Sequence, residues 1–191
     1  FQGGPLELNW GFSGGGQQLW IVSGIASDDV ARIEVFLGSG ERCVVSVAAS
    51  GNESMSSSIC YPASSDYVVS VGATDQNDVR RSYSNYSNKL DVVAPAGVPV
   101  ANAPSAYINS NYYSNAGGTS LSTPHVAGLA ALLRAKNPSY TRGQIINSIL
   151  NGTNKVAGMG NNNYHSQYGW GRINAKLTLS GAAKRIAVYR L

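Results

Sequence analysis

Ser120 stands where a hydroxyl can act as a nucleophile. It opens a run of small residues, 121 to about 136, that reads as a helix, and Gly117-Gly118 ahead of it allow a tight backbone turn. A side chain there lies beside free backbone N–H groups and the positive end of the helix dipole. That setting suits acyl transfer, in which attack by the hydroxyl creates an oxyanion. The same position also suits a helix N-cap, with Thr119 and Ser122 as alternates. Acyl transfer by serine further needs a base and donors for the oxyanion. The chain has 2 histidines. His125 follows Ser120 by five residues on one helix, about 140° around the axis, and so points away from it. His165 lies in the polar string Asn161-Asn-Asn-Tyr-His-Ser and reads as an exposed loop residue. Asp66, Asp75, Asp78 and Asp91 match no catalytic string.

The string Gly118-Thr119-Ser120-Leu121-Ser122-Thr123-Pro124-His125-Val126-Ala127-Gly128 resembles the nucleophile motif of the subtilisin-like serine peptidases (subtilases), except that Ser122 replaces the usual Ala. Residues 44–53, Val-Val-Ser-Val-Ala-Ala-Ser-Gly-Asn-Glu, resemble the strand and loop that carry the family's oxyanion asparagine. That asparagine falls on Asn52, 68 residues before Ser120. Tyr67-Val-Val-Ser-Val-Gly-Ala73, Leu90-Asp-Val-Val-Ala-Pro95 and Tyr168-Gly-Trp-Gly-Arg-Ile-Asn174 resemble further family landmarks, in the family's order. The likeness covers about residues 43–183, the C-terminal half of a subtilase.

The resemblance implies an α/β fold: a mostly parallel sheet with flanking helices, subtilisin-like and incomplete on its N-terminal side. It implies a secreted serine endopeptidase acting on protein or peptide substrates. Ser120 would be the nucleophile. Asn52 Nδ2–H and the Ser120 backbone N–H would hold the oxyanion, and Ala49, Ser50 and Gly51 would form one wall of the specificity pocket. His125 matches the family's buried, non-catalytic Pro-His. No cofactor is required. A structural calcium ion is compatible with the family, with Asp75 or Asp78 as candidates, although no Asp-x-Asp-x-Asp string accompanies them.

The family's other two catalytic strings, Asp-Ser/Thr-Gly and His-Gly-Thr-His, do not occur in this sequence. Ile21-Val22-Ser23-Gly24-Ile25 resembles the string around the catalytic Asp, with Val22 at the aspartate position, as closely as chance also allows. Without base and orienter a serine hydroxyl is a weak nucleophile. Removing the triad in subtilisin, the type example, costs about 2 × 10⁶ in kcat. The chain alone is therefore expected to be nearly inactive. A complementing chain carrying the Asp and His is one resolution. A pseudoenzyme or chimeric fragment that binds peptide, or only folds, is the other.

The elements that would position these residues follow from patterning. Residues 1–18 are rich in Gly and Gln and read as loop. Residues 19–23 read as a short buried strand. Residues 32–37 alternate polar and apolar, residues 38–41 are a turn, and residues 42–48 read as a second strand, which predicts a β-hairpin. No helix fits in the turn, so residues 1–42 read as an atypical front segment, residues 43–183 as the C-terminal part of the catalytic domain, and residues 184–191 as a tail. Strands are expected at 43–49, 67–73 and 90–93, a polar surface connection at 82–88, and short extended pieces within 98–116. The Ser120 helix ends at Asn137-Pro138. Thr141 and Gln144 form a capping box for a second helix that stops at Asn151-Gly152. A short helix is expected at 174–177 and a strand-like piece at 186–189.

With 191 residues the chain can bury a real core. Its net charge of +4 is scattered, with no basic aromatic-interleaved stripe, so no nucleic-acid partner is inferred. No apolar run reaches about 18 residues, so no membrane span is expected. Cys43 and Cys60 flank the oxyanion loop. Paired, they would close a loop worth roughly 3 kcal/mol; otherwise they are buried thiols. Asn85-Tyr-Ser87 and Asn151-Gly-Thr153 fit glycosylation acceptors.

Overall fold

The computed structural model describes the backbone of residues 10–14, 17–25, 30–36, 42–97, 99–101, 113–115 and 117–181, with side chains over 43–97 and 117–181. The extended piece expected at 186–189 lies outside the described residues.

The front of the chain is an antiparallel meander of β1 (Trp10–Gly14), β2 (Gln17–Ile25), β3 (Val30–Phe36) and β4 (Arg42–Ala49). The predicted hairpin is present, with Phe36 opposite Arg42 and Val30 opposite Ala48. Residues 1–18 are not all loop: they include β1 and the start of β2. The Gly-rich composition there gives a weak strand signal. Pairing with β2 supplies the ladder bonds that the local sequence would not hold alone.

At β4 the sheet changes sense. β4 pairs in parallel with β5 (Val69–Thr74), and β5 in parallel with β6 (Val92–Pro95). Beyond β6 the edge is built from two short strands, β9 (Thr153–Asn154) and β10 (Arg172–Ile173), with β10 parallel to β6 and antiparallel to β9. The sheet is therefore mixed: the expected parallel arrangement holds from β4 to β10 and not across β1–β4. β7 (Pro99–Ala101) and β8 (Tyr113–Asn115) form a separate two-stranded sheet.

Period-two alternation sorts the parallel strands onto two faces. Cys43, Val45, Val47, Val69, Val71, Val92 and Ala94 point to one core. On that face lies α1 (Thr119–Lys136), which presents Val126, Leu129, Ala130 and Leu133 at helical spacing. α2 (Arg142–Asn151) adds Ile145, Ile149 and Leu150. It opens with the predicted capping box: Thr141 Oγ1 accepts from Gln144 N at 3.3 Å and Thr141 N donates to Gln144 Oε1 at 2.8 Å. α3 (Ala175–Ser180) is capped by Asn174 Oδ1, which accepts from Leu177 N at 3.0 Å. The other face of the sheet carries Ala48 against Ile59 and Ala63, and Val93 against Val156, Met159 and Tyr168.

α1 is covered on one side only among the described residues. Pro124, His125 and Gly128 are exposed, and Leu132 is 54% exposed. No helix of the described residues is long and apolar enough to cross a membrane. Cys43 and Cys60 are both thiols, not a disulfide; Cys43 is buried in the core and Cys60 is half-buried beside the loop after β4.

Candidate active site

β4 delivers its chain into a loop, residues 50–54, at the carboxyl edge of the parallel strands, where open α/β sheets place their sites. Ser50 N–H donates to Val71 O at 2.9 Å, which extends the ladder one residue past β4. Gly51 then turns with φ 105°. A Cβ there would stand 2.3 Å from Asn85 Nδ2 and 2.5 Å from Cys60 Sγ, so the turn needs glycine both for its φ and for its room. Asn52 follows, with its side chain exposed.

The second half of the site is the start of α1. Its N-cap is Gly118, with φ 140° and no side-chain cap. Ser120 is therefore not the cap, and its hydroxyl is not spent on the helix end. The neighbouring hydroxyls are all engaged. Thr119 Oγ1 donates to Asn52 Oδ1 at 3.1 Å, and Thr123 Oγ1 to Thr119 O at 2.9 Å. Ser122, which stands where the family's motif has Ala, is fully buried and donates to Ala94 O at 2.8 Å, so the sheet satisfies the extra hydroxyl. Ser120 alone of this group is exposed.

The two halves are hydrogen-bonded to each other. Thr119 N–H donates to Asn52 Oδ1 at 2.8 Å, and Gly51 N–H to Thr119 Oγ1 at 3.3 Å. Because a backbone N–H can only donate, the Asn52 oxygen must face Thr119 and its Nδ2 must face outward. The position of the absent Gly118 side chain is 3.1 Å from Ser120 Oγ and 3.9 Å from both Asn52 Nδ2 and Asn52 Oδ1. Gly118 thus brings the Ser120 hydroxyl and the Asn52 amide to one place. The Ser120 N–H is one of the first-turn amides that a helix leaves without an intrahelical partner, and it lies at the positive end of the dipole. The arrangement can bind a developing oxyanion beside a hydroxyl.

The family-model comparison identifies the subtilase family over residues 10–171. The chain belongs to the subtilase family. The match begins well upstream of residue 43, so it takes in the β1–β3 meander that the sequence motifs do not reach. This subtilase chain is 41% identical over 169 residues to the M-protease of Shouchella clausii (strain KSM-K16), covering 88% of this chain and 41% of the relative. It is also 41% identical over 169 residues to Subtilisin BL of Lederbergia lenta, covering 88% of this chain and 58% of the relative. The chain thus spans about half the length of these curated relatives. Among solved structures, a lanthipeptide protease superposes with a TM-score of 0.59 at 22% identity, over 71% of this chain and 50% of that one. A protease of Pseudoalteromonas arctica PAMC 21717 superposes with a TM-score of 0.56 at 28% identity, over 71% and 42%.

The subtilase chain brings Ser120 and Asn52 together and keeps both histidines elsewhere. His125 is exposed, not buried as the family's pattern implies, because it lies on the uncovered side of α1; its Nδ1 meets Leu121 O at 2.9 Å. His165 sits in a tight turn bridged to Gly169, where its Nδ1 accepts from Gln167 N at 3.2 Å. Ala49 and Ser50 are buried, at 4% and 0% exposed, so they line the base of the loop rather than its rim. Asp75 Oδ1 accepts from Asn77 N and Val79 N at 2.8 and 2.9 Å, and Asp78 pairs with Arg172 at 2.6 Å. Among the described residues no group of three or more His, Cys, Asp and Glu gathers as a metal site.

Sequence reasoning missed Tyr83, Ser84 and Asn85, read as part of a polar surface connection. Ser84 and Asn85 are fully buried. Tyr83 Oη accepts from Gly118 N at 2.8 Å, and Tyr83 O accepts from Ser54 N at 2.9 Å, so one residue touches both halves of the site. Asn85 is not an accessible glycosylation acceptor in the folded chain. No compositional signal separates these residues from an exposed loop; their burial is decided by the backbone amides they meet.

Proposed function

We propose that this chain carries the nucleophile and oxyanion half of a secreted serine endopeptidase acting on protein or peptide substrates. Ser120 is the nucleophile. Asn52 Nδ2–H and the Ser120 N–H are the oxyanion donors. Ala49, Ser50 and Gly51 form the small-residue base of one specificity wall. The observation that supports this best is the hydrogen-bonded join of the two halves: Asn52 Oδ1 accepts from the Thr119 N–H at 2.8 Å, which holds the Asn52 amide beside the exposed Ser120. The proton relay is assigned to a complementing segment that brings the Asp and His. The exposed side of α1, with His125, Gly128 and Leu132, is the surface such a segment would cover.

The test is intact mass after treatment with a fluorophosphonate probe, with Ser120→Ala as control. The chain alone is expected to label slowly if at all, and a supplied segment carrying the two missing strings is expected to bring rapid stoichiometric labelling at Ser120. Rapid labelling of the chain alone would show that a base is already present. A second reading is peptide binding without turnover. It is favoured by the engagement of both histidines away from Ser120, and saturable peptide binding with no labelling under complementation would establish it.

A further inference from the structure

The oxyanion loop is held by a cluster outside the groups that would touch substrate. Asn85 is fully buried beneath it. Its Oδ1 accepts from Glu53 N at 3.0 Å and from Met55 N at 2.9 Å. Its Nδ2 donates to Glu53 Oε2 at 2.6 Å. Its backbone N–H donates to Gly51 O at 3.0 Å, and its backbone O accepts from Ser50 Oγ at 2.9 Å. Glu53 Oε2 in turn accepts from the Asn52 backbone N–H at 2.9 Å, and the Cys60 thiol lies 3.4 Å from the same oxygen. One asparagine therefore contacts Ser50, Gly51, Glu53 and Met55, and reaches Asn52 through the Glu53 carboxylate.

We propose that Asn85, acting with the Glu53 carboxylate, is the positioning residue that fixes Asn52 for oxyanion binding. This rests on the reading of Asn52 as the oxyanion donor. The chemistry requires an amide at position 85. The oxygen must face two backbone donors, and the nitrogen must face a carboxylate. An isosteric aspartate meets the first demand and fails the second, because two carboxylates would then confront each other across 2.6 Å. Reversing the pair, with Asp at 85 and Gln at 53, restores one donor and one acceptor between those two side chains. It also turns the new side-chain nitrogen at position 53 toward the Asn52 N–H, from which Glu53 Oε2 accepts at 2.9 Å in the native sequence. A role of simple packing would not distinguish these variants.

The experiment is amide hydrogen exchange on the ¹⁵N-labelled chain at neutral pH, for the native sequence, Asn85→Asp, and Asn85→Asp combined with Glu53→Gln. The amides of Val47 and Val71, both in fully buried strand positions, report the rest of the fold. In Asn85→Asp, protection of the Asn52, Glu53 and Met55 amides is expected to fall at least about tenfold while Val47 and Val71 hold. The double variant is expected to recover most of it at the amides of residues 53 and 55, which face the residue-85 oxygen, and not at Asn52, whose N–H then faces the side-chain nitrogen at position 53. Unchanged Asn52 signals in Asn85→Asp, or a double variant whose residue 53 and 55 amides are no better protected than in the single one, would overturn the proposal. The readout is on Asn52's own amides and needs no turnover. Failure here leaves the oxyanion reading standing, whereas failure of Asn52→Ala to slow labelling in the complemented protein would remove that reading and leave the clamp.

Discussion

A methyl group at Gly118 would stand 3.1 Å from Ser120 Oγ, on a backbone whose φ of 140° excludes most side chains. Gly118→Ala is therefore expected to destabilise the fold by about 1–3 kcal/mol, read as a lower denaturant midpoint. It should also slow labelling in the complemented protein by more than that instability explains. Asn52 acts at the same scale. Its Oδ1 accepts from the N–H and hydroxyl of buried Thr119, so Asn52→Ala should lower the midpoint too, by a destabilisation of about 1–3 kcal/mol. Its larger effect belongs in the rate: losing one such donor costs about 10²–10³ in subtilisin, the type example, and single-turnover kinetics of the complemented protein should show a loss of that order. An Asn52→Ala variant that turned over normally would show that the amide above Gly118 does not meet the reacting oxygen.

At the scale of elements, the oxyanion loop behaves as one unit whose stability depends on pH. The Asn85 side chain, as the leading cause, holds the Glu53 carboxyl below its ordinary value of 4.5. A carboxylate favoured in this way stabilises the folded loop above the ordinary Glu range, and that contribution is lost as pH falls through the lowered value. Exchange protection of the Asn52 amide should thus be flat above about pH 5 and fall only in more acidic solution. In Glu53→Gln the acid loss should vanish. α2 offers a separate check, since Thr141→Ala removes a capping-box acceptor and should cost about 1 kcal/mol in thermal or denaturant unfolding. Legibility divides along the same line. The helices and the β4–β6 strands are visible in sequence because their apolar residues repeat at the period of the structure they form. Ser120 and Asn52 are visible because a long, ordered string surrounds each. β1 is not visible, because a Gly-rich segment is a strand only once β2 is beside it. Asn85 is not visible either, because a buried asparagine and a loop asparagine are chemically identical until the amides of residues 53 and 55 arrive to meet it.

Among the described residues, the sheet carries buried clusters on both faces, and α1 is covered on one side only. α1 buries Val126, Leu129, Ala130 and Leu133 against the sheet and leaves Leu132 at 54% exposed on its far side. Leu132→Glu is expected to leave the isolated chain's stability within about 0.5 kcal/mol, as surface changes usually do. It should nevertheless abolish the gain of Ser120 labelling when a complementing segment is supplied, because a carboxylate would then have to be buried unpaired. Equal complementation by native and Leu132→Glu chains would place that segment elsewhere. The two thiols, finally, turn the molecule into its own pair of stopwatches. Cys60 lies against the Glu53 carboxylate under the oxyanion loop, while Cys43 is 7% exposed inside the core. A bulky maleimide should therefore reach Cys60 whenever the loop lifts and Cys43 only when the sheet parts from its helices. The ratio of the two alkylation rates separates a breathing loop from a failing fold, in unlabelled protein and in a single mass spectrum.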